Sequence, residues 1–373
     1  MDFTYDEQQR MLTDSLRRLV KDKFTFEARR EQSQQSGLND ASWQSLAEVG
    51  VTGLLIPEQY DGFGESTATL VATQLELGRG LVSGPLIPSA VIATAVLLNS
   101  GNDTLKADYL PQMAAGSAVL ALAYLEGEQQ NDIEPSATRA SETGDTYTLQ
   151  GDKKLVWAGG SAHALIVSAT LENELALFVV ATDAEGLTLH DYPTIDGYRC
   201  ATLQLNNVQV PKKALLARGE QARQALESGL DYGVTALCAH TAGAMEKLVE
   251  ITAEYIKTRQ QFGKPLAEFQ VLQHRLADMM IKQELAASMA YVAATALGEE
   301  DIAERRRMLS SAKVLVPEYG RFVGESAVQM HGGIGMTDEL EVGDYFKRIT
   351  FVDYLLGNHD YHLDRLMALF DNA

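Results

Sequence analysis

The chain has 373 residues, a formal net charge of −20 and an isoelectric point near 4.7. A chain of this length can bury a large core and usually holds two or three structural units, which excludes a small disulfide-stapled scaffold. The acidic excess repels phosphate backbones and anionic lipid surfaces, so neither nucleic acid nor a membrane face is an expected partner.

The cysteines and the N-terminus bear on the compartment. Cys200 and Cys238 lie far apart, which is typical of free core thiols in a reducing compartment and not of a disulfide framework. The N-terminus is acidic where a secretory signal would be basic, and no apolar stretch approaches the ~20 residues of a membrane span. We therefore expect a cytoplasmic protein without membrane insertion.

The spacing of apolar residues changes twice along the chain. From Tyr5 to about Gly116 they recur every three or four residues, as in an amphipathic helix. From about Ala118 they alternate or form short runs between turn residues, which predicts strands. From about Ala222 the helical period returns. The predicted domains are residues 1–117 (helical), 118–221 (β) and 222–373 (a four-helix bundle), in an α+β fold that is mostly α.

Residues 259–270, RQQFGKPLAEFQ, form the most specific segment. With L-A-D-M at 276–279, this segment resembles the R-x-x-F-G-K-x-(L/I)-x-x-x-Q pattern of the acyl-CoA dehydrogenase family, whose central domain is a β-barrel or sandwich. The resemblance implies that Arg259 reaches the pyrophosphate of an FAD held by the neighbouring subunit. It also implies that Phe262 packs beside that cofactor. A guanidinium group suits the first role because its planar fork makes paired bonds to phosphate oxygens.

Residues 329–335, QMHGGIG, resemble the family's Q-x-x-G-G-x-G motif. The resemblance implies that Gln329, Gly332 and Gly333 line the adenosine half of the same FAD. Adjacent glycines let backbone N–H groups approach a dinucleotide without a Cβ in the way. Upstream, residues 57–64 resemble a structural P-E-x-x-G-G-x-G turn, with Asp61 in place of the first glycine.

The middle of the chain departs from the family pattern. Counted without gaps, T-E-P-x-x-G-S-D falls on residues 125–132, where only Glu126 and Asp132 match. This alignment places Leu125 beside the cofactor and Asn131 beside the substrate.

The tryptophan of the family's W-I-T string is replaced by Leu155. Trp157 lies two residues further along the predicted strand, so we expect it on the same face and able to contact a flavin. An ordinary core or interface aromatic is the alternative.

The family's catalytic base is the glutamate of an E-G-T string, which here falls on Leu356, Gly357 and Asn358. In the family this base removes the α-proton of an acyl-CoA thioester while the β-hydrogen leaves as hydride to the flavin. Leucine cannot accept a proton. The backbone N–H of Leu356 can still polarise a thioester oxygen, so Leu356 is expected at the substrate and Asn358 at the cofactor.

Other carboxylates are candidate bases. Some family members carry the glutamate near the position of Gly233, where Asp231 is the nearest acid, and Asp353 and Asp360 flank Leu356. An aspartate in such a position is more often a solvated or ion-paired helix residue than a base. His359 and His362 are not spaced with other ligands as a metal site requires, so no metal is expected.

Residues 329–339, 345–348 and 357–362 resemble the small subunits of pimeloyl-CoA dehydrogenase and related two-component enzymes. The resemblance implies FAD as cofactor, an acyl-CoA substrate, an electron-accepting flavoprotein, and a homo-oligomer or a heteromer with a second acyl-CoA dehydrogenase subunit. Three interpretations stay open: a dehydrogenase, a non-catalytic partner that completes a neighbour's FAD site, and an enzyme of the same fold with other thioester chemistry. Because the elements that act on a neighbour's FAD are intact and those of its own site are eroded, we expect a non-identical partner, with a diverged homo-oligomer as the alternative.

Overall fold

The computed structural model describes residues 5–34, 40–127, 133–135 and 137–371. They form two compact units. The first comprises Met1–Ser33, Thr67–Val82 and Val234–Ala373, and the second comprises Gln34–Ser66 and Ser83–Gly233. Because each unit combines segments distant in sequence, the domain bounds 1–117, 118–221 and 222–373 stay a prediction.

Helices dominate both ends of the chain, and strands occupy its middle. Within the described residues the helices are α1 (Glu7–Lys23), α2 (Phe26–Gln34), α3 (Asp40–Glu48), α4 (Thr67–Arg79), α5 (Thr94–Leu98), α6 (Asp103–Ala114), α7 (Glu220–Thr258), α8 (Gln270–Ala296), α9 (Ile302–His331), α10 (Val342–Phe351) and α11 (His359–Asp371). The strands are β1 (Leu120–Ala123), β2 (Arg139–Thr143), β3 (Thr146–Trp157), β4 (Ala164–Leu171), β5 (Glu174–Ala181), β6 (Leu187–Pro193), β7 (Arg199–Pro211), β8 (Leu215–Arg218), β9 (Gln260–Gln261) and β10 (Lys264–Pro265). The predicted α+β class, with helical, β and helical domains in that order, is confirmed.

The second unit contains an eight-stranded sheet in the order β6-β7-β3-β2-β4-β5-β8, with β1 paired to β4. β1 and β2 run parallel to β4, and the other neighbours are antiparallel. Glu172 and Asn173 join β4 to β5 with φ of 48° and 66°, the left-handed values that a two-residue hairpin turn requires. The apolar runs predicted as strands are in β4 and β5, and their side chains form the core of the sheet.

In the first unit the core lies between α7, α8 and α9 and is rich in buried alanine. Small side chains allow helices to approach closely. Where α4 crosses α7, a Cβ on Gly78 would clash with the carbonyl oxygen of His240, and one on Gly243 with that of Leu75. Both glycines are therefore required at this crossing. No helix in the described parts of the chain is long and apolar enough to cross a membrane.

Candidate functional site

A tight hairpin after α7 presents Phe262 to solvent. β9 and β10 pair across Phe262 and Gly263, whose φ values of 52° and 80° are those of a two-residue hairpin turn. A bulky residue adopts this conformation at a cost of roughly 1 kcal/mol. Phe262 is nonetheless 89% exposed, and among the described aromatic residues its ring contacts that of Phe269 edge to face, with centroids 6.1 Å apart. The hairpin therefore holds a strained aromatic residue outside the core.

Arg259 lies between α7 and this hairpin with its backbone fixed on both sides. Its N–H donates to the Tyr255 carbonyl at 2.8 Å, and its carbonyl accepts the N–H of Leu266 at 2.9 Å. The side chain is exposed and has no hydrogen-bond or ion-pair partner within the part of the chain that the structure describes. A rigidly mounted, unpaired guanidinium in a strongly acidic chain is suited to an external anion.

The turn after α9 exposes backbone. Gly332 has φ 66° and ψ −149°, and its N–H bonds to the carbonyls of Gln329 and Val328, which ends the helix. A Cβ added at Gly332 or at Gly333 would meet nothing within 4 Å. The Gln329 side chain and both glycines are exposed. A ligand can therefore approach the main chain directly.

Tyr255 and His331 join the hairpin to the glycine turn. Their rings stack with centroids 4.2 Å apart at an interplanar angle of 27°, and the Tyr255 hydroxyl donates to the His331 carbonyl at 3.3 Å. His331 is buried, which lowers its pKa, and its Nδ1 donates to the Ala327 carbonyl at 2.8 Å. The contact brings Arg259 and Phe262 to the same end of the first unit as Gln329, Gly332 and Gly333. Neither ring was singled out by sequence, although both adjoin the two motifs.

This end of the first unit fits an anionic dinucleotide such as FAD. The unpaired guanidinium suits a diphosphate, the open glycine backbone suits the adenosine half, and the exposed ring of Phe262 offers a stacking surface. A second feature is found in the other unit, where Trp157 is buried while its Nε1 has no acceptor among the described residues. A buried indole N–H usually has a hydrogen-bond partner, so an acceptor from a ligand would complete it.

Trp157 ends β3 beyond a β-bulge. The pairing with β7 shifts between Lys153 and Val156, and Leu155 has φ 49°. An inserted residue interrupts the alternation of side chains, so the expectation that Leu155 and Trp157 share a face no longer follows from strand geometry. Leu155 is half-buried, whereas Trp157 is 6% exposed and packs edge to face against Tyr198, with centroids 5.1 Å apart.

Of the other residues predicted in this region, Asn131 lies outside the described residues. The carbonyl of Leu125 accepts the N–H of Lys154 at 2.9 Å, which fixes the segment beside β3. Neither observation tests the predicted contacts of Leu125 and Asn131.

Glu126 and Lys153 form a buried ion pair that sequence reasoning missed. The Lys153 ammonium, 0% exposed, donates to Glu126 at 2.5 Å and to Ser168 Oγ at 2.9 Å. Glu126 also accepts the N–H groups of Ala137 at 2.6 Å and Thr138 at 3.1 Å. Burial acts to raise the pKa of Glu126, but Lys153 outweighs it and lowers the pKa to about 2. The sequence signal is a lysine in register with the buried positions of β3.

The segment that should carry the base forms a left-handed turn. Leu356 has φ 57° and Gly357 has φ 96°. The Leu356 carbonyl accepts from His362 Nε2 at 2.9 Å, and the Gly357 carbonyl from Lys313 Nζ at 2.6 Å. Asn358 Oδ1 accepts the Tyr361 N–H at 3.0 Å, so this predicted cofactor residue caps α11.

The three candidate carboxylates differ in their contacts and in their exposure to solvent. Asp353 Oδ1 accepts the N–H of His359 at 2.9 Å, and its other oxygen lies 3.9 Å from Arg321. The Asp360 side chain is 86% exposed. Asp231 belongs to the second unit, where it lies half-buried on α7. A general base needs a desolvated position within reach of the substrate. Asp360 is too exposed for that role, whereas the Asp353 side chain is 18% exposed and is engaged by the His359 N–H.

No group of three or more His, Cys, Asp or Glu side chains among the described residues is arranged to hold a metal ion. His362 is engaged with the Leu356 carbonyl, and His359 lies 3.2 Å from Asp360.

Family models for the two ends of acyl-CoA dehydrogenases match the chain. The N-terminal domain model matches residues 6–117, and the C-terminal domain model matches residues 222–369. Acyl-CoA dehydrogenase FadE27 of Mycobacterium tuberculosis (strain H37Rv) is 28% identical over 376 residues, covering 98% of each chain.

Two solved structures have the same fold. The Tcur3481-Tcur3483 steroid ACAD variant is 29% identical, with a TM-score of 0.88 and coverage of 98% of both chains. The ChsE4-ChsE5 complex from Mycobacterium tuberculosis is 24% identical, with a TM-score of 0.89 and coverage of 100% of both chains. At that identity the second likeness shows the fold alone. With the two family models covering more than half of its length, the chain belongs to the acyl-CoA dehydrogenase family, whose members are flavoproteins.

Proposed function

We propose that this chain is a subunit of an FAD-dependent acyl-CoA dehydrogenase and that its hairpin and glycine turn hold the FAD bound by a second, non-identical subunit. The observation that supports it most is the joined pair of motifs: an unpaired Arg259 and an open Gly332-Gly333 backbone on one end of the first unit. A pimeloyl-CoA dehydrogenase-type small subunit is the specific form that we favour.

The two functional regions of the first unit lie far apart. Lys313 beneath the Leu356–Gly357 turn and His331 beside the glycine turn are eighteen residues apart on α9, about 27 Å at 1.5 Å per residue. This separation supports the idea that they serve different active sites, with the glycine turn acting on a neighbour's cofactor and the Leu356 turn on the chain's own thioester.

The proposed roles follow from the chemistry of each group. Arg259 would neutralise the diphosphate, and Gln329 with the glycine backbone would hold the adenosine half. A flavin, when bound, supplies the hydride acceptor that α,β-dehydrogenation of an acyl-CoA requires. The chain would pass electrons onward to a flavoprotein acceptor. With leucine at the base position, we infer that the chain contributes binding more than proton abstraction.

Exposed apolar residues on one side of α8, interspersed with the exposed polar residues His274 and Asp278, support a subunit contact. Val271, Ile281 and Leu285 lie on one side of the helix and are 72%, 56% and 43% exposed. Exposed apolar residues grouped on one face mark protein interfaces. The Tcur3481-Tcur3483 structure is 29% identical to this chain, and its name joins two components. This similarity favours a heteromer.

The second candidate function is an active homo-oligomer in which an aspartate replaces the missing base. The observation that favours this second function is the half-buried position of Asp231. The surroundings of Asp353 and Asp360 do not favour it.

We also infer a reducing, cytoplasmic compartment. Cys200 and Cys238 are both buried and free, and burial raises the pKa of each thiol to about 12.

Product analysis tests the reaction class. The purified chain, alone and with a full-motif dehydrogenase subunit, is incubated with straight-chain acyl-CoA esters and an artificial electron acceptor. The molecular masses of the esters are then measured by mass spectrometry. We expect loss of two hydrogens from an ester in the presence of the partner. A product of different mass, such as one with added water, would favour other thioester chemistry and contradict the proposal.

A further inference from the structure

An acidic segment follows the glycine turn. Residues 338–344, DELEVGD, contain four carboxylates and no lysine or arginine. They begin five residues after Gly333, and a fully extended chain spans at most about 3.6 Å per residue, so Asp338 lies within about 18 Å of that glycine. Negative charge at this distance repels an anionic ligand, and a dinucleotide carries a dianionic diphosphate. The proposed cofactor surface therefore lies next to charge of the wrong sign.

Helix α2 brings two cations to this acidic segment. Arg29 Nη2 donates to Glu341 Oε2 at 2.8 Å, and Arg30 Nη2 lies 3.8 Å from Asp338 Oδ1. Both arginines are half-buried, whereas the two glutamates of the same helix are exposed. The helix therefore directs its positive charges towards the acidic segment and its negative charges towards solvent.

Further contacts hold both guanidinium groups in place. Arg29 also donates to the carbonyl of Phe24 at 3.3 Å and to that of Gly80 at 3.2 Å. The Cζ atom of Arg30 lies 4.3 Å from the centre of the Phe26 ring, one turn earlier on α2. A cation over an aromatic face is attracted by the ring. The two positive charges therefore have defined positions beside the acidic segment.

These charges act on the carboxylates electrostatically. Burial raises the pKa of Asp344, and the charge of Asp338 raises it further. The charges of Arg29, Lys347 and Arg30 act in the opposite direction. The cations of α2 are therefore coupled to the carboxylates that follow the glycine turn.

Glu339 has no counter-charge of its own. Its side chain is exposed and has no hydrogen-bond or ion-pair partner among the residues that the structure describes. Replacing it with glutamine therefore removes one negative charge from the acidic segment without breaking a contact seen in the structure.

We propose that Arg29 and Arg30 are positioning residues that offset the charge of the acidic segment and so allow the glycine turn to bind an anionic dinucleotide. They act through the carboxylates of this segment and not by touching the cofactor. This inference rests on the proposed function, since it assumes that FAD is bound at the turn. It gives the N-terminal helix α2 a role in cofactor binding.

Ionic strength separates a charge effect from a structural one. The Debye length is about 30 Å at 0.01 M and about 3 Å at 1 M ionic strength, so charges acting through solvent are felt only at the lower value. At 0.01 M, Arg30→Gln should raise the dissociation constant of FAD about 2- to 4-fold in the assembled protein, as one charge does on a dianion roughly 15 Å away in water. At 1 M the variant and the unaltered protein should bind FAD equally. Fluorescence titration of the deflavinated protein measures both constants.

Removing an acid should have the opposite effect. At 0.01 M, Glu339→Gln should lower the dissociation constant by a similar factor, and the double variant Arg30→Gln/Glu339→Gln should return to the unaltered value. If Arg30 only stabilised the fold, its replacement would weaken binding at both ionic strengths, and Glu339→Gln would not restore it. Arg29→Gln should act as Arg30→Gln does. Because Arg29 is the more buried of the two and its loss can unfold the protein, Arg30 and Glu339 carry the test.

Arg307→Gln is the matched control. Arg307 is an exposed arginine of the first unit that is paired with Glu304. It lies twenty-four residues from His331 on α9, about 36 Å at 1.5 Å per residue, so its loss should leave FAD affinity unchanged at both ionic strengths.

The outcomes separate the two proposals. If Arg259→Ala weakens FAD binding while Arg30→Gln and Glu339→Gln leave it unchanged at 0.01 M, α2 has no electrostatic role and the proposed function stands. A loss in Arg30→Gln that persists at 1 M, or that the double variant does not restore, also overturns the inference. If Arg259→Ala binds FAD as tightly as the unaltered protein, the proposed function fails and the inference fails with it.

Discussion

The rings of Tyr255 and His331 stack 4.2 Å apart and tie the last turn of α7 to the end of α9. Tyr255 also accepts the N–H of Arg259, so one residue fixes the base of the hairpin and one wall of the glycine turn. The hairpin and the glycine turn, which are the two motifs predicted to bind FAD, therefore lie on one surface of the first unit.

Replacing Tyr255 should separate the two motifs. We expect Tyr255→Leu to lower FAD retention in the assembled protein, because the hairpin and the glycine turn lose their shared contact. Tyr255→Phe keeps the stacking and loses only the 3.3 Å bond to the His331 carbonyl, so it should retain most of the flavin. Flavin absorbance per complex after gel filtration measures both. Equal flavin content in the Leu variant and the unaltered protein would show that the contact has no role in cofactor binding.

Arg259→Ala should weaken FAD binding. A charge-assisted hydrogen bond contributes roughly 1.5–3 kcal/mol, which corresponds to about a 10- to 100-fold loss of affinity. Arg259→Lys keeps the charge without the bidentate fork and should give an intermediate loss. Lys257→Ala is the matched control, since Lys257 is a nearby exposed cation paired with Glu254 at 2.7 Å. If Arg259→Ala and Lys257→Ala retained flavin equally in a titration with FAD, the predicted role of Arg259 would be wrong.

The chain alone should dehydrogenate straight-chain acyl-CoA esters slowly or not at all, because general-base catalysis contributes about 10²–10⁴-fold. Asp353→Asn, Asp360→Asn and Asp231→Asn should each change any residual rate by no more than about 3-fold, because we expect none of the three to act as the base and asparagine keeps a hydrogen-bond acceptor. Initial rates with an artificial electron acceptor provide the measurement. A loss of a hundredfold or more in one variant would identify that aspartate as the base.

The Glu126–Lys153 pair should make stability sensitive to acid. Because the folded-state pKa of Glu126 is about 2, below its ordinary value of 4.5, its contribution is fully present above pH 4.5 and is lost as the pH falls towards 2. The free energy of unfolding should fall by up to about 3 kcal/mol over this window.

Near pH 7, Glu126→Gln leaves a buried ammonium without its counter-charge and should cost about 3–5 kcal/mol. Glu142→Gln, which removes a surface pair with Lys212, is the control and should cost less than about 1 kcal/mol. Denaturant unfolding at pH 7 and pH 3 measures the free energy of unfolding of both variants. A Glu126→Gln protein as stable as the control at pH 7 would contradict the assigned role.

The elements of the fold that produce a local sequence pattern were predicted from the sequence. The period change near Ala118 and the turn at Gly332 could be seen because helix, strand and glycine turns leave short-range signals. The roles of Arg259 and Gln329 remain predictions, now with exposed side chains on one surface.

The features that could not be predicted depend on contacts between residues that are distant in sequence. The stacking of Tyr255 on His331 and the hydrogen bonds from Lys313 and His362 to the Leu356 turn join residues far apart in sequence, so no local pattern indicates them. The prediction that Leu155 and Trp157 share a face assumed strict alternation of side chains along β3. The bulge at Leu155 breaks this alternation, because one inserted residue moves every later side chain to the opposite face. Lys153 did leave a signal, a charge on the apolar face of β3, that marks a buried ion pair.

The most direct measurement is the flavin stoichiometry of the assembled protein. The chain is co-expressed with a full-motif acyl-CoA dehydrogenase subunit, the complex is isolated, and the number of FAD molecules per subunit is measured. We predict a heteromer that contains fewer FAD molecules than subunits and loses flavin in Arg259→Ala. A homo-oligomer of this chain that carries one FAD per subunit and dehydrogenates acyl-CoA at ordinary rates on its own would contradict the proposal.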